Sequence, residues 1–333
     1  MPAVTADTLT LERVEALPEA GTRWRPVRRV VGTVRTYEGA GFPVRRPFPS
    51  SELALADPFL LLDHLGAVEY APGEAKGAPW HPHRGFETVT YIVDGAFEHK
   101  DTTGGGGLIT DGATQWMTAG AGILHDEMPP EELVMKGGLF HGIQLWVNLP
   151  ASLKWTRPRY QPIEAGDVAL LSSSDGGALV RIIAGELAGK KGPGETWTPI
   201  TLAHVSVAPG ARVALPWQPG FNALVYSLAG NGYAGEELAP VPEGTMALFG
   251  EGEALSFTAE QTQDAGGTGN WEVLVLGGQP IGEPVARYGP FVMNTRQEIL
   301  QAVEDYRAGR LGTIPPEAMP HRTSADAADL EDS

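Results

Sequence analysis

Apolar and β-branched positions along this chain fall in short runs separated by glycine, proline and aspartate, and few of those runs carry a helical period. Arg29–Tyr37 (RVVGTVRTY) reads as a strand, and Asp57–Leu65 (DPFLLLDHL) as an apolar strand that opens a core. Glu87–Val93 (ETVTYIV) is β-branched and closes on Asp94-Gly95, a dipeptide that favours tight hairpins. Ala96–Lys100 is expected to return from that turn, and the glycines 104–107 to turn the chain again. Ile109, Ala113–Met117, Gly122–His125 and Leu139–Leu149 complete a first set of strands. Turns every ~8–12 residues predict a sandwich or barrel.

Residues 155–175 are less periodic, contain two X-Pro steps, and are expected to connect two domains. A second set of strands follows at 179–184, 201–207, 212–215, 223–229, 246–249, 254–258 and 271–277, so the two halves have similar element content. One segment carries a helical period. In 295–310 (TRQEILQAVEDYRAGR), Thr295 and Glu298 fit a capping box, and Ile299, Val303 and Tyr306 form an apolar stripe. Gly309 suits the C-terminal cap. Residues 1–27 are polar and aperiodic and predict a flexible tail, and 312–333 predict a disordered acidic one.

Composition narrows the chemistry. The 333 residues include 43 Gly and 28 Pro, which suits many short strands. A formal charge of −17 repels phosphate backbones and anionic lipid, so neither direct nucleic-acid nor membrane binding is expected. Cysteine is absent, which removes disulfides, thiolate ligands and a cysteine nucleophile. The first residues lack the pattern of a secretory leader, and no apolar run approaches the ~20 residues of a membrane helix, so cytoplasm is the expected compartment.

Any metal must then be held by His, Asp or Glu. His81-Pro82-His83 places two imidazoles at i and i+2, on one side of an extended chain. His125-Asp126-Glu127 repeats that spacing with an imidazole and a carboxylate and turns Asp126 away. If the two strands lie side by side, four ligands converge. Imidazole and carboxylate suit iron, zinc, copper, nickel or manganese. His64, His99 and His204 read as structural or exposed.

The strings HPHRGFETVTY (81–91), QWMTAGAGILHDEMP (115–129), GIQLWVNLP (142–150) and GEPVARYGPFVMNT (282–295) closely resemble the pirin family of the cupin superfamily, over about residues 28–310. The resemblance implies an all-β bicupin: a metal-bearing barrel over 28–155, a barrel without metal over 156–293, and a C-terminal helix over 294–311. It implies one divalent metal, iron, on His81, His83, His125 and Glu127. Cupins outside this family take a glutamate from the first motif, here Glu87; pirins use the later one, so Glu87 is expected beside the ligands. Arg84 and His141 are further expected neighbours of the site, Arg84 as an aid to an anionic substrate or as the partner of a barrel carboxylate. His141 also reads as a core histidine.

Two functions follow from the resemblance. Some pirins are described as quercetin 2,3-dioxygenases, which implies a small aromatic substrate, O₂, and Glu127 as the base that accepts the flavonol hydroxyl proton. Others are described as non-enzymatic regulators that contact a transcription factor or a metabolic enzyme. An enzyme needs a cavity above the metal that admits a flat bicyclic ligand; a regulator does not.

Overall fold

A computed structural model of the chain describes residues 4–18, 20–47, 56–263 and 269–315. In chain order the strands of the first half are β1 (Val27–Gly32), β2 (Val34–Glu38), β3 (Phe42–Arg46), β4 (Phe59–Tyr70), β5 (Ala78–His83), β6 (Phe86–Asp94), β7 (Phe97–Asp101), β8 (Gly106–Ile109), β9 (Thr114–Thr118), β10 (Ile123–Met128) and β11 (Gly138–Asn148), with a short helix α1 (Glu131–Lys136) before β11. The second half holds β12 (Arg159–Ile163), β13 (Ala169–Ser172), β14 (Ala178–Ala184), β15 (Glu186–Leu187), β16 (Lys190–Lys191), β17 (Ile200–Val207), β18 (Arg212–Pro216), β19 (Leu224–Ala229), β20 (Gly232–Ala234), β21 (Ala239–Val241), β22 (Thr245–Phe249), β23 (Ala254–Ala259) and β24 (Trp271–Gly278). A hairpin of β25 (Ala286–Tyr288) and β26 (Phe291–Met293) leads into helix α2 (Arg296–Arg307).

Each half is a seven-stranded sheet facing a four-stranded one. The first barrel is β12-β9-β6-β11-β4-β3-β2 over β5-β10-β7-β8; the second is β1-β22-β19-β24-β17-β14-β13 over β18-β23-β20-β21. This is the expected bicupin with its small C-terminal helix. The two large sheets pack against each other through one apolar cluster, in which Leu62, Val89, Ile143 and Leu145 meet Leu202, Leu224, Met246 and Leu274. Strands such as β4, β6 and β11 are therefore buried on both faces, one toward a barrel interior and one toward the other barrel.

Four expectations need correction. The run 29–37 is two strands: β1 joins the second barrel by pairing with β22, and β2 joins the first by pairing with β3. Conversely, β12 lies beyond the boundary expected at residue 155 yet pairs with β9 of the first barrel. The barrels exchange a strand each, and no local pattern marks that. Asp94-Gly95 is not a hairpin turn. It is a corner between sheets, because β6 pairs with β9 and β11 while β7 pairs with β10 and β8. The N-terminal stretch is no free tail: Val14 is 2% exposed within the second barrel's core, and Arg13 and Trp24 form bridges with Ser172 and Ala254. The acidic tail expected at 312–333 lies outside the described residues from 316 onward. No helix among the described residues is long and apolar enough to cross a membrane.

The C-terminal segment returns to the first barrel. Helix α2 begins on the expected capping box of Thr295 and Glu298. Ile299 and Ala302 pack with Leu124, Phe291, Met293 and Leu311, whereas Tyr306, expected in the stripe, is exposed and lies only near the Phe291 ring. Lys154 is fully buried and donates to the carbonyls of Gly85 and Val292 and to Asn148 Oδ1, which fastens β26 to the barrel. Gly85 has φ +91°, and a Cβ there would lie 2.0 Å from the Val292 carbonyl oxygen, so only glycine lets the hairpin approach.

Arg84 completes this attachment. Its Nη1 donates to Asp305 Oδ2 at 2.7 Å, its Nε donates to the Ala121 carbonyl at 2.6 Å, and its guanidinium lies over Trp155. Burial opposes the Asp305 charge, but hydrogen bonds from Arg84, Arg310 and Gln301 hold its carboxyl down at about 2. Because the folded value is below the unfolded one, this stabilisation is present above pH ~4 and is lost as the pH falls toward 2. Asp305→Asn leaves a buried cation without its counter-ion and is expected to cost about 3 kcal/mol, a drop in melting temperature of roughly 5–10 °C. An unchanged melting curve at pH 7 would show that the pair contributes nothing to stability.

Candidate metal centre

β5 and β10 are antiparallel neighbours, with His81 opposite His125 and His83 opposite Ile123. A register shift after His125 moves Glu127 opposite Ala78. The two strands that carry the same-face pairs are thus neighbours, and His125 meets the His81–His83 pair. The nitrogens of His81, His83 and His125 all lie within 4.8 Å of one another, and those of His99 and His125 with a Glu127 oxygen form a second group of the same size. His125 belongs to both.

The hydrogen bonds fix which nitrogens are free. His81 Nδ1 donates to the Pro79 carbonyl at 2.9 Å, and His83 Nδ1 donates to the Pro290 carbonyl at 3.3 Å. A carbonyl can only accept, so each neutral ring keeps its lone pair on Nε2. Those two lone pairs face each other at 3.1 Å. His125 Nδ1 contacts His99 Nε2, and its own Nε2 is buried without a partner. Two imidazole lone pairs brought face to face with no proton to share, beside the unpartnered Nε2 of His125, are satisfied by a cation, and the residues present fit a metal ion. Burial pushes His83 and His125 well below the ordinary imidazole range, with the neighbouring His81 acting in the same direction.

Glu127 is held separately. Gln144 Nε2 donates to both of its oxygens, at 2.9 and 3.0 Å, and Thr90 Oγ1 donates to Oε1 at 3.0 Å. These two residues and His99 were not singled out from the sequence. Alternation on β6 and β11 was the available signal, because Thr90 and Gln144 lie on the faces opposite the apolar interface residues Val89, Tyr91, Ile143 and Leu145. His99 sits opposite Glu127 in the β7–β10 ladder.

Alternation also displaces two expected neighbours, Glu87 and His141. Glu87 is on the interface face of β6, where Thr118 Oγ1 donates to it at 2.6 Å; burial pushes its carboxyl up to about 7 against that hydrogen bond. His141 is on the interface face of β11, 2.8 Å from His64 Nε2, and His64 Nδ1 is 3.0 Å from the Tyr226 hydroxyl of the second barrel. His204 likewise receives the Tyr91 hydroxyl at Nδ1, 2.8 Å away. These histidines join the barrels. Arg84 pairs with Asp305 of helix α2 rather than with the expected barrel carboxylate.

The cluster opens onto a cavity of about 500 Å³ lined by His81, His83 and Glu127 and walled by Phe42, Trp146 and Arg287. That is within the usual range for a small-molecule site of ~300–1,000 Å³. Trp146 stacks on Phe86 and meets His83 edge-on, with ring centroids 5.3 Å apart.

A metal held by these imidazoles should survive mild acid. Ligand histidines must be neutral, and depressed values mean that protons compete only at lower pH. Metal content is expected to persist through pH ~6.5 and to fall below about pH 5 in a step steeper than one proton. Release that is complete by ~6.5, or that follows a single-proton curve, would contradict histidine ligation.

The chain matches the family model described as Pirin over residues 41–147 and that described as Pirin C-terminal cupin domain over 202–312. A pirin-like protein of Solanum lycopersicum is 40% identical over 86% of this chain and 92% of its own length. Pirin of Homo sapiens is 38% identical over 83% of this chain and 90% of its own. The crystal structure of a quercetin 2,3-dioxygenase from Acinetobacter baumannii superposes with a TM-score of 0.81 at 39% identity, covering 88% of this chain and all of that one.

Proposed function

The chain belongs to the pirin family, and from that premise we propose that it is a metal-dependent dioxygenase acting on a flavonol such as quercetin, with iron held by His81, His83, His125 and Glu127. The observation that carries the reading is the pair of unprotonated Nε2 atoms, 3.1 Å apart, at the floor of a cavity large enough for a flat bicyclic ligand. The similarity to a solved quercetin 2,3-dioxygenase supports the same substrate class.

A bound metal would supply Lewis acidity that lowers the pKa of a substrate hydroxyl, and a partner for O₂ chemistry. The protein supplies the rest. Glu127 accepts the 3-hydroxyl proton, and Gln144 and Thr90 keep its oxygens aimed at the cavity. Phe42 offers an apolar surface to the flavonol rings, and Trp146, packed between Phe86 and Arg287, closes the wall against water. His99 holds the His125 ring through Nδ1, so that Nε2 points into the cluster.

Metal analysis followed by oxygen uptake tests the reading. The iron-loaded protein is expected to hold about one ion per chain and to consume O₂ when quercetin is added. A fully loaded protein that takes up no oxygen with any flavonol tested would leave the alternative, an iron-binding regulator acting through protein–protein contact.

A further inference from the structure

We propose that Arg287 selects the substrate by charge: the cavity takes a planar aromatic that carries a carboxylate or similar anionic group at the Trp146 wall, besides the oxygens it presents to the histidines. The inference rests on the substrate-binding reading of this cavity and names its ligand class.

Two arginines, Arg46 and Arg287, line the cavity together with the carboxylates of Glu38, Asp63 and Glu127. Arg46 is spent, because its Nε and Nη2 donate to Asp63 at 2.7 and 2.6 Å and Nη2 also reaches Glu38. Arg84, next to the ligand pair, is turned to Asp305. Arg287 lines the cavity, and among the described residues no carboxylate lies within ion-pair distance of it and no acceptor takes its hydrogen bonds. Its guanidinium lies 4.7 Å from the Trp146 ring centroid. A guanidinium stacked on an aromatic face keeps its edge N–H groups free, and that planar fork matches a carboxylate in bidentate fashion.

Its position relative to the histidines is fixed. Arg287 pairs with Val292 across the β25–β26 hairpin, Phe291 bridges to Arg84, and the Pro290 carbonyl accepts from His83. Trp146 meets both His83 and Arg287, so a single indole links the metal floor to the free cation. One planar ligand lying along that wall reaches both. Burial and the neighbouring Arg46 disfavour the Arg287 charge, Asp63 and Glu38 favour it from a distance, and an anion held directly by the guanidinium would offset the burial.

The test is equilibrium binding, independent of turnover. 3-Hydroxyflavone and 3-hydroxyflavone-4′-carboxylate are titrated into the metal-loaded protein by calorimetry. The parent is expected to bind the carboxylate about 10-fold more tightly than the neutral probe, with the preference shrinking in high salt. Arg287→Gln should abolish the preference while binding the neutral probe within about 2-fold of the parent, and Arg287→Lys should keep part of it. Equal binding of the two probes by the parent overturns the inference, whatever the variants do, and leaves the flavonol reading intact. A preference that survives in Arg287→Gln also overturns it. If neither probe binds the parent, both this inference and the flavonol reading fall.

Discussion

His125→Ala is expected to reduce bound metal from about one ion per chain to less than about a tenth of that. His125 is fully buried, lies within ligand distance of both the His81–His83 pair and Glu127, and its Nε2 has no other use. Alanine removes the only donor common to both groups. It also leaves His99 Nε2 facing an empty space, so the remaining ligands lose their shared centre. The measurement is metal content after reconstitution and desalting. His64→Ala is the control: that ring joins the barrels through His141 and Tyr226, so it should lower the melting temperature and leave metal content unchanged. Full metal content in His125→Ala would remove the ligand assignment.

Glu127→Gln separates binding from chemistry. The substitution keeps the shape and one ligating oxygen but removes the charge and the basic site. Three histidines should still hold metal, with lower affinity. General-base catalysis is typically worth ~10²–10⁴-fold, so the reloaded variant is expected to bind flavonol yet turn it over at least ~100-fold more slowly. Gln144, which donates to both Glu127 oxygens, would face a second amide there, and Gln144→Ala alone should slow turnover less. A reloaded Glu127→Gln that matches the parent rate would show that Glu127 is not the base.

Much of this was legible in the chain. Strand content, the similar element content of the two halves, the capped terminal helix and the two same-face pairs, His81 with His83 and His125 with Glu127, follow from local periodicity and spacing. Local patterns hold because alternation and capping are settled within a few residues of backbone. His81 with His83, and His125 with Glu127, need only their own strands to be extended, and the pairing of those two strands then makes the centre.

What the chain alone left open is which face of a strand meets which neighbour. On β6, alternation places Glu87 and Thr90 on opposite faces, but both faces are buried, so hydrophobicity does not distinguish them. Only the packing of the two large sheets turns Glu87 toward the second barrel and Thr90 toward Glu127. The same packing takes His141 away from the metal centre, and it carries β1 and β12 across the expected domain boundary. Arg84 and Asp305 are 221 residues apart, and Arg287 reaches the cavity only because the terminal hairpin folds back over Gly85. Such contacts depend on chain segments distant in sequence, and they form only when burial of the apolar faces has fixed how the barrels lie together.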